Sequence, residues 1–250
     1  YKLILINEVM TKKDKIKRRL IRAEKKRKKQ IPEPKSWVFG FDETNNGFHI
    51  KPKNPYFKTS LVVTGYATED LGRANYGSEP YERKGHNYTK RNLPKTLEKC
   101  REYLSKHPTF LYTTISKENA KIYPLSRLKA DAIALLTLSL FLKYPTIDPQ
   151  RTKIIMDEMG GRKSSEEVDQ GLEQWLKKTE LQIPHKIKRE ADEKTIAVRK
   201  ADRIGHYITA IHHFGTNNKW PYRNKRISFD SLGETIIRFL ERDEIDYPEP

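Results

Sequence analysis

Residues 126–143 read SRLKADAIALLTLSLFLK and are apolar on nearly every side of a helix. A helix with such a surface cannot rest on a single layer and has to be enclosed by others. Pro145 and Pro149 close the segment, since proline removes a backbone donor and crowds the preceding turn. Directly after them comes a buried-strand pattern, TKIIMD at 152–157, with Gly160 and Gly161 as its exit. A buried helix feeding a buried strand points to a layered α/β domain. At 250 residues and 36% hydrophobic content the chain has the material for one.

The part before this helix reads mainly as strands. Residues 36–41 (SWVFGF), 48–51 and 60–67 (SLVVTGYA) are short aromatic and β-branched runs. Turn residues at Asn45-Asn46-Gly47 and at 52–55 separate them, which predicts an antiparallel meander. A long connection over 68–91 leads to a helix at 93–106 and a strand at 109–115. Further on, an amphipathic helix is expected at 165–178, a strand at 185–189 and a helix at 195–213. A short strand near 226–229 then precedes a helix capped by Ser231, with Glu234 three residues on. The order predicts an α/β fold: a mixed sheet, antiparallel meander plus parallel strands, with helices on both faces.

Fifty Lys and Arg against 33 Asp and Glu give a net charge of +17. About half of the excess sits in residues 7–30, where twelve basic side chains meet three acids. The apolar stripe of this segment, Ile16, Leu20 and Ala23, is too narrow to favour a membrane surface. Phosphates suit it better, because each one neutralised releases condensed counterions. The expected organisation is a basic helical arm over 1–35, a main domain over 36–215 and a strand–helix appendage over 216–250. A single cysteine, Cys100, excludes an internal disulfide framework and a cysteine-rich zinc module. It fits a reducing, cytoplasmic setting. No stretch has the length and apolarity of a signal-peptide core or a membrane span, so the expected partner is nucleic acid and not a membrane. The first residue is Tyr1 and not Met, which fits a trimmed or partial chain.

Acids beside buried apolar strands are the least easily explained as solvated surface. Asp42 and Glu43 end the first strand, after Val38-Phe39-Gly40-Phe41, and Asp157 ends TKIIMD. Successive strand residues point to opposite faces, so Asp42 and Glu43 can serve one site only if the strand ends or bulges at Glu43. A cluster of carboxylates repels itself unless a hard cation neutralises it, and Mg²⁺ or Mn²⁺ suits oxygen ligands. Two such ions could activate a water and stabilise the leaving oxygen of a phosphodiester. A further ligand is expected from the next strand–helix unit. Asp192 lies before the helix at 195–213, where it could also be an N-cap. Asp202 lies inside that helix, with His206 one turn on along the same face. Packing is the commoner role for such a histidine.

These segments resemble a known family. The run G-F-D-E-T-N-N-G, Gly40 to Gly47, is similar to the G-[IV]-D-E-A-G-R-G signature of type 2 ribonucleases H. Ile154-Ile155-Met156-Asp157 matches that family's second acidic strand end. The stretch from Glu190 to Ile204 resembles its K-A-D-x-x-x-P-V-V-S-A-A-S-I segment. The resemblance implies a ribonuclease H-like fold and Asp42, Glu43, Asp157 and Asp192 as metal ligands. A looser relative, an RNase H-like family opening D-E-S-G-D, carries an A-D-[LI]-I-A helix and implies Asp202 instead. The Gly-Arg-Gly element by which type 2 enzymes read an RNA–DNA junction is Asn45-Asn46-Gly47 here, so junction recognition is not implied.

Weaker signals add little. His206, His212 and His213 share one helix, but no HExxH pattern or cysteine partner supports zinc. Tyr76, Tyr81 and Tyr88, set among Arg73, Arg83, Lys84, Lys90 and Arg91, could stack bases and grip a backbone. Two functions fit the whole. One is a metal-dependent nuclease cutting RNA, in a hybrid or a structured RNA, by a two-metal mechanism. The other is a non-catalytic RNA-binding protein that uses the same fold to dock on RNA or a ribonucleoprotein.

Overall fold

The structure, a computed structural model, describes residues 35–45, 47–49, 51, 58–70, 93–158, 161–214 and 222–244. The basic arm and most of the connection over 68–91 lie outside them. By backbone packing the chain divides into two units, Tyr1–Lys35 and Ser36–Pro250.

At the centre of the second unit is a five-stranded sheet in the order β3-β2-β1-β4-β5. The strands are β1 (Trp37–Thr44), β2 (Ser60–Glu69), β3 (Phe110–Ser116), β4 (Thr152–Asp157) and β5 (His185–Lys188). β1 pairs antiparallel with β2, and β2 with β3. β4 runs parallel to both β1 and β5. This is the mixed sheet expected from sequence. The interior strand β1 is apolar on both faces, as a strand covered on both sides must be.

Between and after the strands come α1 (Leu93–Lys106), α2 (Lys117–Ile122), α3 (Leu125–Lys143), α4 (Arg162–Lys178), α5 (Ala191–Lys194), α6 (Ile196–Phe214) and α7 (Leu232–Leu240). The all-round apolar helix is α3, and 14 of its residues are buried. It lies against one face of the sheet and is enclosed by α4 and α7. The core on this side joins Phe39, Phe41, Leu61 and Val63 to Ile133, Leu136 and Phe141. The Phe39 and Phe141 rings stand 5.0 Å apart. The opposite face carries α6 and α1, through Val38, Val62, Ile155, Ala201, Ile204, Cys100 and Leu104.

Two glycines bring α6 unusually close to the sheet. A β-carbon on Gly40 of β1 would lie 2.2 Å from the backbone carbonyl carbon of Ala197. One on Gly205 of α6 would lie 2.6 Å from Thr44 Oγ1. Glycine at both contacts lets the helix backbone rest on the strand.

Several expected details differ. Phe48, His49 and Lys51 are not in a strand. Phe48 takes a left-handed conformation (φ 54°) and donates its N–H to Asn45 O, which closes a turn after β1. The strand near 226–229 reduces to a single parallel bridge between Arg226 and Tyr112. Ser231 does precede α7, but its hydroxyl donates to Ser228 O and not into the helix. β1 also continues past Asp42 and Glu43 to Thr44.

Candidate active site

Because β1 runs on without a bulge, its two acids part company. Asp42 shares the α6 face with Val38 and Gly40, and Glu43 shares the α3 face with Phe39 and Phe41. The site is therefore built on both sides of one strand end.

On the α6 side, the close approach at Gly40 and Gly205 sets Asp202 of α6 against Asp42. The two carboxyl groups are hydrogen-bonded, and Asp42 is only 8% exposed. Two carboxyl groups placed together disfavour ionisation of both, so without a cation the site favours the protonated form of Asp42. Burial pushes the Asp42 carboxyl well above the usual carboxylate range, and the negative charges of Asp202 and then Asp157 raise it further. The backbone N–H of Glu43, 2.7 Å from Asp42 Oδ1, opposes the rise. One turn along α6, His206 Nε2 lies 3.1 Å from Asp202 Oδ1. Thus His206 is a polar neighbour of the acid pair and not a packing residue alone.

On the α3 side, Glu43 Oε1 accepts from Lys129 Nζ at 2.7 Å. The lysine side chain is 1% exposed and the glutamate 9%. Burial raises the Glu43 carboxyl, the lysine lowers it, and Asp157 raises it again. The second oxygen, Oε2, is buried with no hydrogen-bond partner.

Asp157 stands between these groups, at the end of β4. Its Oδ1 accepts from the N–H groups of Glu158 and Ala191, each at 2.9 Å. The bond to Ala191 ties β4 to the start of α5. Asp192 is the next residue, buried in the first turn of α5 and not a cap of α6, with its carbonyl held by Arg199 Nε at 3.0 Å. It is not among the charges acting on Asp42 or Glu43. Electrostatics thus link Asp42, Asp202, Asp157 and Glu43, and Asp192 follows directly on Ala191, whose N–H holds Asp157.

The donors are oxygens, anionic and mutually repelling, with one buried oxygen lacking a partner. That chemistry fits a hard divalent cation. Among the described residues, however, no three His, Cys, Asp or Glu side chains are arranged to hold an ion as they stand. The reason is local: Glu43 is held by Lys129, and Asp157 by two backbone amides. Lys129 escaped the sequence reading. Its signal was a lysine four residues into a helix otherwise uncharged at its buried positions, which invites a search for a buried acid partner.

No protein-family model and no curated protein sequence matches the chain significantly. Similar solved structures include a glutamine-to-alanine mutant of Bst-RNase HIII, at 15% identity and TM-score 0.46, covering 83% of this chain and 65% of that one. Ribonuclease H2 from Pyrococcus horikoshii OT3 shares 14% identity over 85% of this chain and 90% of its own, with TM-score 0.45. RNase HII from Archaeoglobus fulgidus, solved in a complex with PCNA, shares 13% identity over 85% of this chain and 96% of its own, with TM-score 0.42. Likeness at this level assigns no activity and no ligands. On its own sheet order, strand directions and helix layers, the chain has a ribonuclease H-like fold.

Proposed function

We propose that this protein is a metal-dependent nuclease that hydrolyses phosphodiester bonds of RNA, with Asp42, Asp202, Asp157 and Glu43 as its working carboxylates. The observation that carries the reading is the buried Asp42, with Asp202 and Asp157 acting on it, in a protein of net charge +17. An acid cluster this costly to bury, in a chain that attracts polyanions, makes sense where a cation is to be held against a phosphate.

Asp42 and Asp202 would hold the Mg²⁺ or Mn²⁺, with Asp157 and the free oxygen of Glu43 as the remaining donors. Two ions are the form in which one would activate a water and the other stabilise the leaving oxygen. The bound metal would supply Lewis acidity and an activated water. The protein residues do the positioning. Lys129 fixes one oxygen of Glu43, and the other is buried without a hydrogen-bond partner. His206, its Nε2 3.1 Å from Asp202 Oδ1 and its side chain about a quarter exposed, would orient that carboxyl from the solvent side. Lys200 and Arg203 add cations on α6, the helix that carries Asp202.

The test is cleavage of labelled RNA, RNA–DNA hybrid and DNA in Mg²⁺ or Mn²⁺ by wild type, Asp42→Asn, Asp202→Asn and Asp192→Asn. Loss in the first two variants and retention in Asp192→Asn is expected. Equal, negligible cleavage by wild type and Asp42→Asn would sink the nuclease reading. The engagement of Glu43 by Lys129 favours one other reading, a non-catalytic RNA-binding protein of the same fold. That reading expects salt-sensitive binding indifferent to Mg²⁺ and to Asp42→Asn.

A further inference from the structure

A polar cavity of about 580 Å³ opens at the same end of the sheet as the acid group. Lys58 and Ser60 line it from the start of β2, Thr114 from β3, His212 from α6, and Arg226, Phe229 and Asp230 from the segment before α7. Two distances place it relative to the acids. Asp42 pairs with Thr64, and Ser60 lies four residues further along β2, on the order of 13 Å at strand rise. Along α6, His212 lies ten residues beyond Asp202, about 15 Å at helical rise. Both estimates separate the cavity from the acids by a few nucleotides' reach, on the α6 face.

Its cation is held in place. Arg226 bridges to Tyr112, and the next residue, Ile227, donates its N–H to Tyr112 O at 2.8 Å. Ile227 O in turn accepts from Thr113 Oγ1 at 2.9 Å. The Arg226 guanidinium donates to Thr114 Oγ1 at 2.8 Å. Burial and the Arg226 charge lower the His212 imidazole to about 4, so it adds a neutral wall and no charge near pH 7. Asn45 Nδ2 donates to Ser60 O at 2.9 Å, which ties the loop after the acid-bearing strand to the cavity rim.

We infer that this cavity takes one nucleotide of the strand whose scissile phosphate lies at the acid group. The inference rests on the nuclease reading for the position of that phosphate. Arg226 and the exposed Lys58 receive the nucleotide's phosphate, with the serine and threonine hydroxyls as further donors. Phe229 offers a face for the base. Asp230, an acceptor only, suits a sugar hydroxyl and would repel a bare anion. The combination fits a nucleotide in a strand better than it fits free phosphate.

The experiment measures binding in EDTA, where cleavage does not enter. The full chain is titrated with a 12-nucleotide single-stranded RNA over a range of salt, and amide exchange at 226–230 is followed in parallel. Arg226→Gln and Lys58→Gln should each reduce the slope of log affinity against log salt by about one. Each should also weaken binding about fivefold or more and diminish the exchange protection that RNA brings to 226–230. Unchanged slope and unchanged protection in both variants would overturn the inference. Inorganic phosphate or a nucleoside monophosphate protecting 226–230 as well as the RNA does would overturn it too, since the cavity would then be a small-anion site. Should Arg226→Gln lower the melting temperature, Lys58→Gln decides, because its side chain is exposed. Protection that persists in a protein without cleavage separates failure of the nuclease reading from failure of this one.

Discussion

Lys129 and Glu43 form a pair that neither partner could leave cheaply. Removing one side of a buried ion pair costs about 3–5 kcal/mol, because the other is left charged and unsolvated. Lys129→Met is therefore expected to lower stability by about that much in denaturant unfolding, whereas Lys129→Met with Glu43→Met should recover most of it. A double variant as unstable as the single would show that the lysine acts through packing instead. Asp42 works in the opposite sense. Its folded-state proton affinity is raised, so the native state binds more protons than the unfolded chain above pH ~4, and stability falls as pH rises from there. Asp42→Asn removes that penalty. In EDTA it should melt above wild type at pH 7, with the difference vanishing near pH 4. Mg²⁺ should stabilise wild type and narrow the gap. His212 has the other sign: its folded value, about 4, is below the ordinary 6.5. Its stabilising contribution is full above about 6.5 and is lost as pH falls toward 4, up to about 3 kcal/mol. His212→Gln should flatten that part of the pH–stability curve.

At the scale of elements, the site depends on how closely α6 rests on β1. The contact needs glycine at Gly40, where any side chain would meet the helix backbone. Gly40→Val is expected to cost at least about 1–3 kcal/mol through overpacking. It should also abolish the Asp42–Asp202 hydrogen bond, so the Asp42→Asn stabilisation at pH 7 should shrink in that background. A full stabilisation there would mean that burial alone raises Asp42. Most elements were legible from pattern: 93–106 and 152–157 agree to the residue, and α3 begins one residue earlier than expected. Phe48 to Lys51 misled because apolar content alone cannot distinguish a strand from a turn whose side chains pack back on the core. Phe48 does pack there, from a left-handed backbone.

For the whole molecule, the excess charge and the acid group have different tasks. About half of the +17 lies in residues 7–30, so deleting residues 1–33 should weaken RNA binding and flatten its salt dependence. Under the nuclease reading the truncated protein should still cleave in Mg²⁺; loss of cleavage at saturating RNA would make the arm part of the catalytic arrangement. Among the described residues, no helix is long and apolar enough to cross a membrane.

The sequence by itself determined the layers. An all-round apolar helix must be enclosed, a short alternating or β-branched run between turn residues reads as a strand, and both signals are local. It also marked Asp42, Glu43 and Asp157 as acids where solvation is scarce. Only the tertiary structure decided which acids meet. Strand alternation sent Asp42 and Glu43 to opposite faces, two glycines drew Asp202 onto Asp42, and a lysine on another helix met Glu43. Those contacts join residues 86 and 160 positions apart, and no local pattern encodes such a distance.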